Sequence, residues 1–212
     1  MQLTEYINAG FIFAERFGSP ESIPELSRRG FIVNSRPQVQ SDGLVFDGVD
    51  DHIVTTLSTN NILLSGACLI CRFKTTSGLG SKYICSFGQT TSVNLFDLFL
   101  SDQSSGKLAG SCKTSGGQST ILYTTKAIND NKFNVLVNNY TGSQQQLYVN
   151  GLLQNSITKT GNIILTSNAY YLIIGNLNNI FNGHVTGIIS HIFVVLRSLS
   201  ATEIQQITND LA

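Results

Sequence analysis

Charged side chains are scarce in this sequence, and those present cancel. They make up 12% of 212 residues, and 13 lysines and arginines stand against 13 aspartates and glutamates. Without net charge the chain has no broad cationic field, so neither nucleic acid nor an anionic membrane is an expected partner. No apolar run is long enough to cross a bilayer, and no N-terminal stretch has the pattern of a secretion signal. The sequence therefore predicts a neutral, polar surface and no membrane insertion.

Tryptophan is absent, so any stacking on a sugar ring would depend on smaller aromatic side chains. The candidates are Tyr140, Tyr148, Tyr170 and Tyr171. Each lies in a predicted strand, where packing or an edge position is the alternative role. The sequence therefore leaves the glycan-binding residues unassigned.

Cysteine is also rare, at four residues. Cys68 and Cys71 lie in one predicted strand, and their spacing places their side chains on opposite faces of the sheet. That geometry argues against a mutual disulfide and against joint zinc ligation. Free buried thiols are therefore expected, together with synthesis in a reducing compartment.

The motifs of hydrolytic and phosphoryl-transfer enzymes are missing. The sequence has no Gly-x-Ser-x-Gly elbow, no His-Glu-x-x-His helix and no phosphate-binding glycine loop followed by lysine. Glycoside hydrolysis needs two facing carboxylates, but no strand carries alternating acidic residues, and Asp97 and Asp102 have the wrong spacing. His52, His184 and His191 are predicted to be structural. No catalytic residue is assigned, and the chain is predicted not to be an enzyme.

Short runs with alternating apolar residues recur along the chain, separated by clusters of Gly, Asn, Ser and Thr. This pattern predicts an all-β fold with two packed sheets. The candidate strands are Leu44–Phe46, His52–Leu57, Ala67–Lys74, Tyr83–Phe87, Val93–Leu100, Thr120–Thr124, Phe133–Asn139, Gln146–Asn150, Leu152–Gln154, Tyr170–Gly175 and Val185–Leu196.

Two of these strands carry more specific predictions. In Phe133–Asn139 the valines mark a core face, whereas Asn134 and Asn138 predict a face in contact with water. The sequence Asn150-Gly151 predicts a tight hairpin, because both residues tolerate the positive φ angles of a type I′ turn.

The two ends of the chain differ in regularity. Ser200 and Glu203 form a predicted capping box, and Ile204, Ile207 and Leu211 follow at helical spacing, so a short C-terminal helix is expected. Residues 1–40 are less regular. They are predicted to be either an arm that docks on a partner or the outer strands of the sandwich, with the main domain covering residues 41–212.

Four segments in order resemble one known family. GLVFDGVDDHI (43–53), LYVNG (147–151), LIIGN (172–176) and GIISHIFVVLRSLSATEI (187–204) are similar to motifs of the laminin G-like, concanavalin A-like jelly-roll family. The resemblance implies an antiparallel two-sheet jelly-roll sandwich with a short C-terminal helix. The sequence departs from the family at Ser190, where many relatives have Asp, and at Ser198, where Ala is usual.

Within the first of these segments, Asp50 and Asp51 are the candidate metal ligands. Clustered carboxylates in a loop suit calcium, but that ion takes six to eight oxygen ligands and few donors are apparent. The same carboxylates can accept backbone N–H bonds in a turn. A structural turn is therefore favoured, with calcium as the alternative and no other cofactor expected.

The resemblance and the composition lead to two hypotheses about function. The first is a non-catalytic virion surface protein, either a phage capsid decoration protein or a tail-associated adhesion module. It would be made in a host cytoplasm, form homo-oligomers and contact capsid or tail proteins and host-surface glycans. The second is a secreted or cell-surface glycan-binding module with an extracellular location. A glycoside hydrolase of the same fold is disfavoured by the missing acidic pair.

Overall fold

A computed structural model gives the architecture of the chain. It describes residues 11–17, 31–34, 37–57, 62–78, 80–89, 93–101, 106–115, 119–165, 170–176 and 183–212. The strands are numbered β1 to β17 along the chain, and the helix is α1. None of the helices in these ranges is long and apolar enough to span a membrane.

The strands form two large antiparallel sheets and one small one. In spatial order the first sheet contains β14 (Leu152–Thr158), β13 (Gln144–Val149), β12 (Asn134–Tyr140), β7 (Ala67–Lys74), β17 (Thr186–Val195), β4 (Gly43–Asp47) and β3 (Gln38–Gln40), and β1 (Phe11–Arg16) pairs with β17. The second contains β11 (Thr120–Ala127), β10 (Lys107–Cys112), β9 (Val93–Leu100), β8 (Lys82–Gln89), β16 (Tyr170–Ile174), β5 (His52–Leu57) and β2 (Phe31–Asn34). β6 (Ile62–Leu64) pairs with β15 (Ile163–Leu165).

The main hydrophobic core lies between the two large sheets. Its largest side chains include Phe46 and Phe73 from the first sheet and Phe87 and Phe96 from the second, each at most 2% exposed. Interdigitation of the inner faces is what holds a two-sheet sandwich together. The predicted all-β jelly-roll sandwich with a short C-terminal helix is confirmed.

The predicted strands are present, but β10 (Lys107–Cys112) and the short strands β3, β6 and β15 were not predicted. The sequence of β10, KLAGSC, contains the small residues Ala109, Gly110 and Ser111, which give no alternating apolar signal. The side chains of Asn138 and Leu147 fill the space beside Gly110, since a Cβ on Gly110 would lie 3.0 Å from both of them. The strand is therefore determined by its neighbours rather than by its own sequence pattern.

The prediction that Asn134 and Asn138 face water is wrong. Every residue of β12 is buried, and Asn134 and Asn138 are 6% and 0% exposed. Both faces of the strand are covered, because the inter-sheet core covers one face and helix α1 (Ala201–Leu211) packs on the other. Alternation of polar and apolar residues therefore does not indicate a water-exposed face here.

Helix α1 begins as the sequence predicts. Ser200 and Glu203 form a reciprocal capping box, and Ile204, Ile207 and Leu211 are buried. These three side chains pack on the outer face of the first sheet in one cluster with Val135 and Val137. The helix thus closes a second, smaller core.

The prediction of free, buried cysteines is also confirmed. All four cysteines are free and buried. Cys71 lies in the inter-sheet core, and Cys68 lies in the cluster beneath α1. The two thiols therefore point to opposite faces of β7, as strand geometry requires.

The hairpin and the N-terminal segment add two local features. Asn150 and Gly151 have φ angles of 50° and 76°, which confirms the predicted tight turn. Phe11–Arg16 pairs with β17, and Phe31–Asn34 pairs with β5. The division of the chain at residue 40 and a docking role for residues 1–40 stay predictions.

Candidate functional site

The segment Asp47–Asp51, here called the acidic turn, brings three carboxylates together after β4. Asp47, Asp50 and Asp51 each have an oxygen within 4.8 Å of the others. Asp51 is buried, whereas the other two are exposed. The sequence-based metal hypothesis included Asp50 and Asp51 but not Asp47, which was expected only to take part in the turn.

Backbone groups already use several oxygens of the acidic turn. The Val49 N–H donates to Asp47 Oδ1 at 2.8 Å, and the Asp47 N–H donates to Asp51 Oδ2 at 3.1 Å. Burial raises the pKa of Asp51, and repulsion from Asp47 and Asp50 adds to the increase, against the hydrogen bond from the Asp47 N–H. Calcium needs six to eight oxygen ligands, so the donors present fit a structural turn better than a calcium site.

Two histidines border the acidic turn. The His184 ring lies 5.5 Å from the His52 ring, between centroids. His184 Nδ1 is 3.4 Å from the Asp51 carbonyl oxygen, and Asn176 Nδ2 is 3.2 Å from His184 Nε2. His184 is 6% exposed and Asn176 is 1% exposed, so these contacts link the turn to the buried residues after β16 and before β17. The structural role of the histidines stays a prediction.

Calcium and chelators are expected to leave the melting temperature unchanged. Asp51→Ala should lower the free energy of unfolding by about 1–2 kcal/mol with or without calcium, because it removes a buried acceptor of the Asp47 N–H. Asp50→Ala, on the exposed side of the turn, should change it by no more than about 0.5 kcal/mol. Thermal melts in calcium and in chelator measure both effects. A calcium-dependent rise in melting temperature that Asp51→Ala abolishes would instead assign a metal site.

Asp97 lies in a buried polar site. From the sequence it was considered only with Asp102, as an acidic pair whose spacing does not suit glycoside hydrolysis. It is 1% exposed, on the face of β9 opposite the core residues Phe96 and Leu98. The hydroxyls of Ser86 and Ser111, directly across on β8 and β10, each donate to one carboxylate oxygen at 2.6 Å. Burial raises the pKa of Asp97 to about 7, although the two serine bonds oppose the increase. Asp102 lies outside the described residues.

A pair of buried amides, Asn138 and Gln145, links the two sheets across the core. Asn138 Nδ2 donates to the carbonyls of Asp97 and Ser111 at 3.0 and 2.9 Å. Gln145 Nε2 donates to the Gly110 carbonyl at 2.9 Å and to Asn138 Oδ1 at 3.1 Å. These bonds join β12 and β13 of the first sheet to β9 and β10 of the second. Their role is structural, because neither amide is exposed.

An open pocket, here called the basic groove, lies on the outer face of the first sheet beside the end of α1. Its volume is about 540 Å³. The lining residues come from β7, the loop before β12, β12 itself, the β13–β14 turn and the C-terminal end of α1: Arg72, Lys74, Asn131, Lys132, Phe133, Val135, Asn150, Thr208, Leu211 and Ala212. Sequence reasoning did not find this groove, because its residues are far apart in the chain.

Two of the three cations in the basic groove, Arg72 and Lys74, make specific contacts. The Arg72 guanidinium carbon lies 4.0 Å from the centroid of the Phe133 ring, and Lys74 Nζ lies 4.8 Å from it. Arg72 Nη1 donates to Ser190 Oγ at 3.1 Å, and Lys74 Nζ pairs with Asp42 Oδ2 at 3.1 Å. Lys132 stands exposed at the rim.

Among the tyrosines considered for sugar stacking, Tyr140 and Tyr148 are 0% and 5% exposed. They pack in the protein, so they offer no surface for a sugar. The side chains of Tyr170 and Tyr171 lie outside the described part. The partly exposed aromatic ring at a described pocket is instead Phe133.

Sequence and structure comparisons agree on the fold. A sequence model of the concanavalin A-like lectin/glucanases superfamily matches residues 38–205. No curated protein sequence matches this chain. The receptor-binding domain of botulinum neurotoxin D aligns with a TM-score of 0.70 at 13% identity, over 97% of this chain and 54% of that one. This chain therefore spans about half the length of the toxin domain.

Two further structures align over most of their own length. The sialidase carbohydrate-binding module CBM40 of Ruminococcus gnavus, bound to α2,3-sialyllactose, has a TM-score of 0.57 and 16% identity, over 73% of this chain and 97% of that one. A heptameric SAP-like pentraxin from Limulus polyphemus has a TM-score of 0.58 and 14% identity, over 85% and 82%. At these identities the similarity establishes the fold alone.

Proposed function

The chain belongs to the concanavalin A-like lectin/glucanases superfamily, and from that premise we propose that it is a non-catalytic glycan-binding module whose binding surface is the basic groove. The observation that carries the proposal is the groove itself. Its volume of about 540 Å³ is within the range of small-molecule sites, roughly 300–1,000 Å³. It is lined partly by strands and a helix, which hold side chains more firmly than loops do.

The chemistry of the groove suits a sugar better than an apolar ligand. The Phe133 ring is partly exposed, and since Arg72 and Lys74 already lie over it, it offers the apolar face of a pyranose only the part that these cations leave uncovered. Asn131, Arg72 and Lys132 place hydrogen-bonding groups around that ring, which match the hydroxyl groups of a sugar. A carbohydrate-binding module with a similar fold, from Ruminococcus gnavus, is known bound to sialyllactose, which supports the same class of ligand here.

The absence of catalysis is part of the proposal. Glycoside hydrolysis requires two carboxylates on either side of the scissile bond. None of the side chains lining the basic groove in the described structure is acidic. Asp97 is enclosed, and both of its carboxylate oxygens already accept hydrogen bonds from serines. Binding without turnover is therefore the function that the groove supports.

A glycan array tests the proposal directly. The purified protein is expected to retain a defined set of glycans, and Phe133→Ala is expected to weaken that binding about tenfold, because it removes the ring beneath Arg72 and Lys74. Tyr123→Ala is the matched control, since Tyr123 is a half-buried aromatic residue on β11 of the other sheet. Failure to retain any glycan, or equal binding by the Phe133 variant, would contradict the proposal.

A second candidate function is that of a virion surface protein, with capsid or tail proteins as its partners. The alternative to a location on the virion is an extracellular one. The edge strand β14 favours a protein contact, because Leu152, Leu153 and Ile157 are 65%, 51% and 42% exposed. Exposed apolar residues on an edge strand are a common basis for association, including homo-oligomers. Co-sedimentation with virus particles tests it, and loss of binding in Leu153→Ser but not in Ser156→Asp would support it. Deleting residues 1–40 is less informative, since β1 and β2 would be lost with them.

A further inference from the structure

We infer that the side of the sandwich formed by β14 and β11 binds a second copy of this chain. Of the five large apolar side chains that are exposed in the described part, four lie here: Ile121, Leu152, Leu153 and Ile157. We call these four residues the apolar edge. The inference does not depend on glycan binding, and it names a second copy, in place of a capsid or tail protein, as the occupant of this surface.

Two hydrogen bonds join β14 to β11 along this side. Asn155 Nδ2 donates to the Tyr123 carbonyl at 3.2 Å, and Thr125 Oγ1 donates to Gln154 Oε1 at 2.7 Å. The higher residue number on β14 thus meets the lower one on β11, so the two strands run in opposite directions. Each is the outermost strand of its sheet among the described residues. The apolar edge is therefore one surface that crosses from the first sheet to the second.

The apolar edge has two apolar ends and a polar middle. Leu152 and Leu153 form one end, at the start of β14, and the polar residues 154–156 follow them. Ile157 begins the other end, and Ile121 lies beside it because β11 runs in the opposite direction. A two-fold axis through the polar middle brings each apolar end of one copy against the opposite end of the other copy. The surface is therefore complementary to itself.

Strand β14 is also open to pairing through its backbone. The edge of a sheet presents N–H and C=O groups, which natural proteins usually protect with charged side chains or proline. The sequence of β14, LLQNSIT, contains neither, and most of the strand is exposed. A second β14 fits beside it in antiparallel pairing, which is the direction that the two-fold axis requires.

Charge and the distribution of apolar surface favour a second copy as the partner. The chain has a formal net charge of zero and β14 is uncharged, so two copies meet with little repulsion. The remaining exposed large apolar side chain in the described ranges is Val49, which lies on the acidic turn. The extended apolar surface that a second copy offers there is thus the apolar edge itself. A contact between identical surfaces closes as a dimer and does not continue as a filament.

The size of this surface predicts a reversible dimer. The strand β14 has seven residues. At about 3.3 Å per residue it spans roughly 23 Å, and packed sheets lie about 10 Å apart, so each copy offers on the order of several hundred Å². Specific interfaces commonly bury about 800 Å² per partner, and weak ones bury less. Dimer formation is therefore expected to depend on protein concentration.

Sedimentation velocity of the full chain at increasing concentration tests the inference. The mass is expected to rise from that of one chain, 23.0 kDa, toward that of two. Leu152→Lys should weaken self-association about tenfold or more, because the two-fold axis would bury the new charge twice. Val49→Lys is the matched control, since it makes the same kind of change at an apolar side chain that is 70% exposed and outside the apolar edge. It should associate as the native chain does.

A mixing experiment tests the two-fold arrangement. Ile157→Asp should also weaken self-association about tenfold or more. An equimolar mixture of the Leu152→Lys and Ile157→Asp chains should recover dimers, because the lysine of one chain meets the aspartate of the other while the opposite ends keep their apolar contact. Both positions are exposed, so circular dichroism should show both variants folded. Mixed chains that stay monomeric would contradict the two-fold arrangement.

The other outcomes separate this inference from the proposed functions. A monomer at every concentration would overturn it, as would dimers that survive Leu152→Lys. A monomer that co-sediments with virus particles, and loses this in Leu153→Ser, would assign the surface to a capsid or tail protein instead. Dimers that do not co-sediment would support the inference and contradict the virion candidate. Leu152 does not line the basic groove, so glycan retention by Leu152→Lys measures the groove separately.

Discussion

Asn138→Ala is expected to lower the free energy of unfolding by about 3–4 kcal/mol, a large effect for one substitution. Asn138 donates to the carbonyls of Asp97 and Ser111 and accepts from Gln145 Nε2. Alanine would leave these groups without their partner in the core, where each unsatisfied polar group costs about 1–3 kcal/mol. It would also open a cavity between β12 and the second sheet.

Urea denaturation followed by circular dichroism measures this effect, since the chain has no tryptophan to report by fluorescence. Asn155→Ala is the control, because Asn155 is exposed; its Nδ2 donates to the Tyr123 carbonyl at 3.2 Å and its Oδ1 accepts from the Ser156 N–H at 2.9 Å. It should cost less than about 1 kcal/mol. A similar loss for both variants would show that the Asn138 bonds contribute no more than surface bonds do.

Asp97→Asn is expected to stabilise the protein increasingly as pH rises from about 4 to 7 relative to the native chain. The pKa of Asp97 is raised from 3.8 to about 7 in the folded state. Between these values the unfolded chain releases the proton and the folded chain keeps it, so the stability of the native protein falls as pH rises. Each unit of pKa difference corresponds to about 1.4 kcal/mol, which gives a difference of about 4 kcal/mol above pH 7.

The comparison of the two pH profiles isolates Asp97 from other carboxylates. Asparagine can still hydrogen-bond to Ser86 and Ser111 but carries no charge that burial would penalise. Asp210→Asn, at an exposed position on α1, is the control and should give a profile parallel to the native one. Parallel profiles for Asp97→Asn as well would mean that the buried carboxyl titrates alike in the folded and unfolded chain.

The sequence was sufficient for the fold because the relevant signals are local. The Asn150-Gly151 turn, the Ser200–Glu203 capping box and the four ordered motifs each lie within a short segment. β10 escaped notice because Ala109 and Gly110 carry no strand pattern of their own. The burial of Asn138 was also not predicted. Nothing in the sequence of β12 indicates that α1, more than 60 residues later, covers the face of β12 opposite to Asn138.

The candidate site was far less predictable. Arg72, Lys132 and Thr208 lie on three separate elements, and no spacing in the sequence indicates that they line one groove. Sequence patterns instead drew attention to Asp50 and Asp51, whose carboxylates are adjacent in the chain. The contact of Ser86 and Ser111 with Asp97 could not be predicted from the sequence either, because it depends on the register of three strands.

The burial of the cysteines affects how readily their thiols are oxidised. Only a thiolate reacts readily with oxidants or with disulfides. Burial raises the pKa of Cys68 and Cys85 far above the ordinary value of a thiol, and it raises the pKa of Cys112 to about 12. These thiols stay protonated and shielded in air as well as in a reducing cytoplasm. The purified protein is therefore expected to keep these three thiols reduced during storage without a reducing agent, which titration of the thiols after storage would measure.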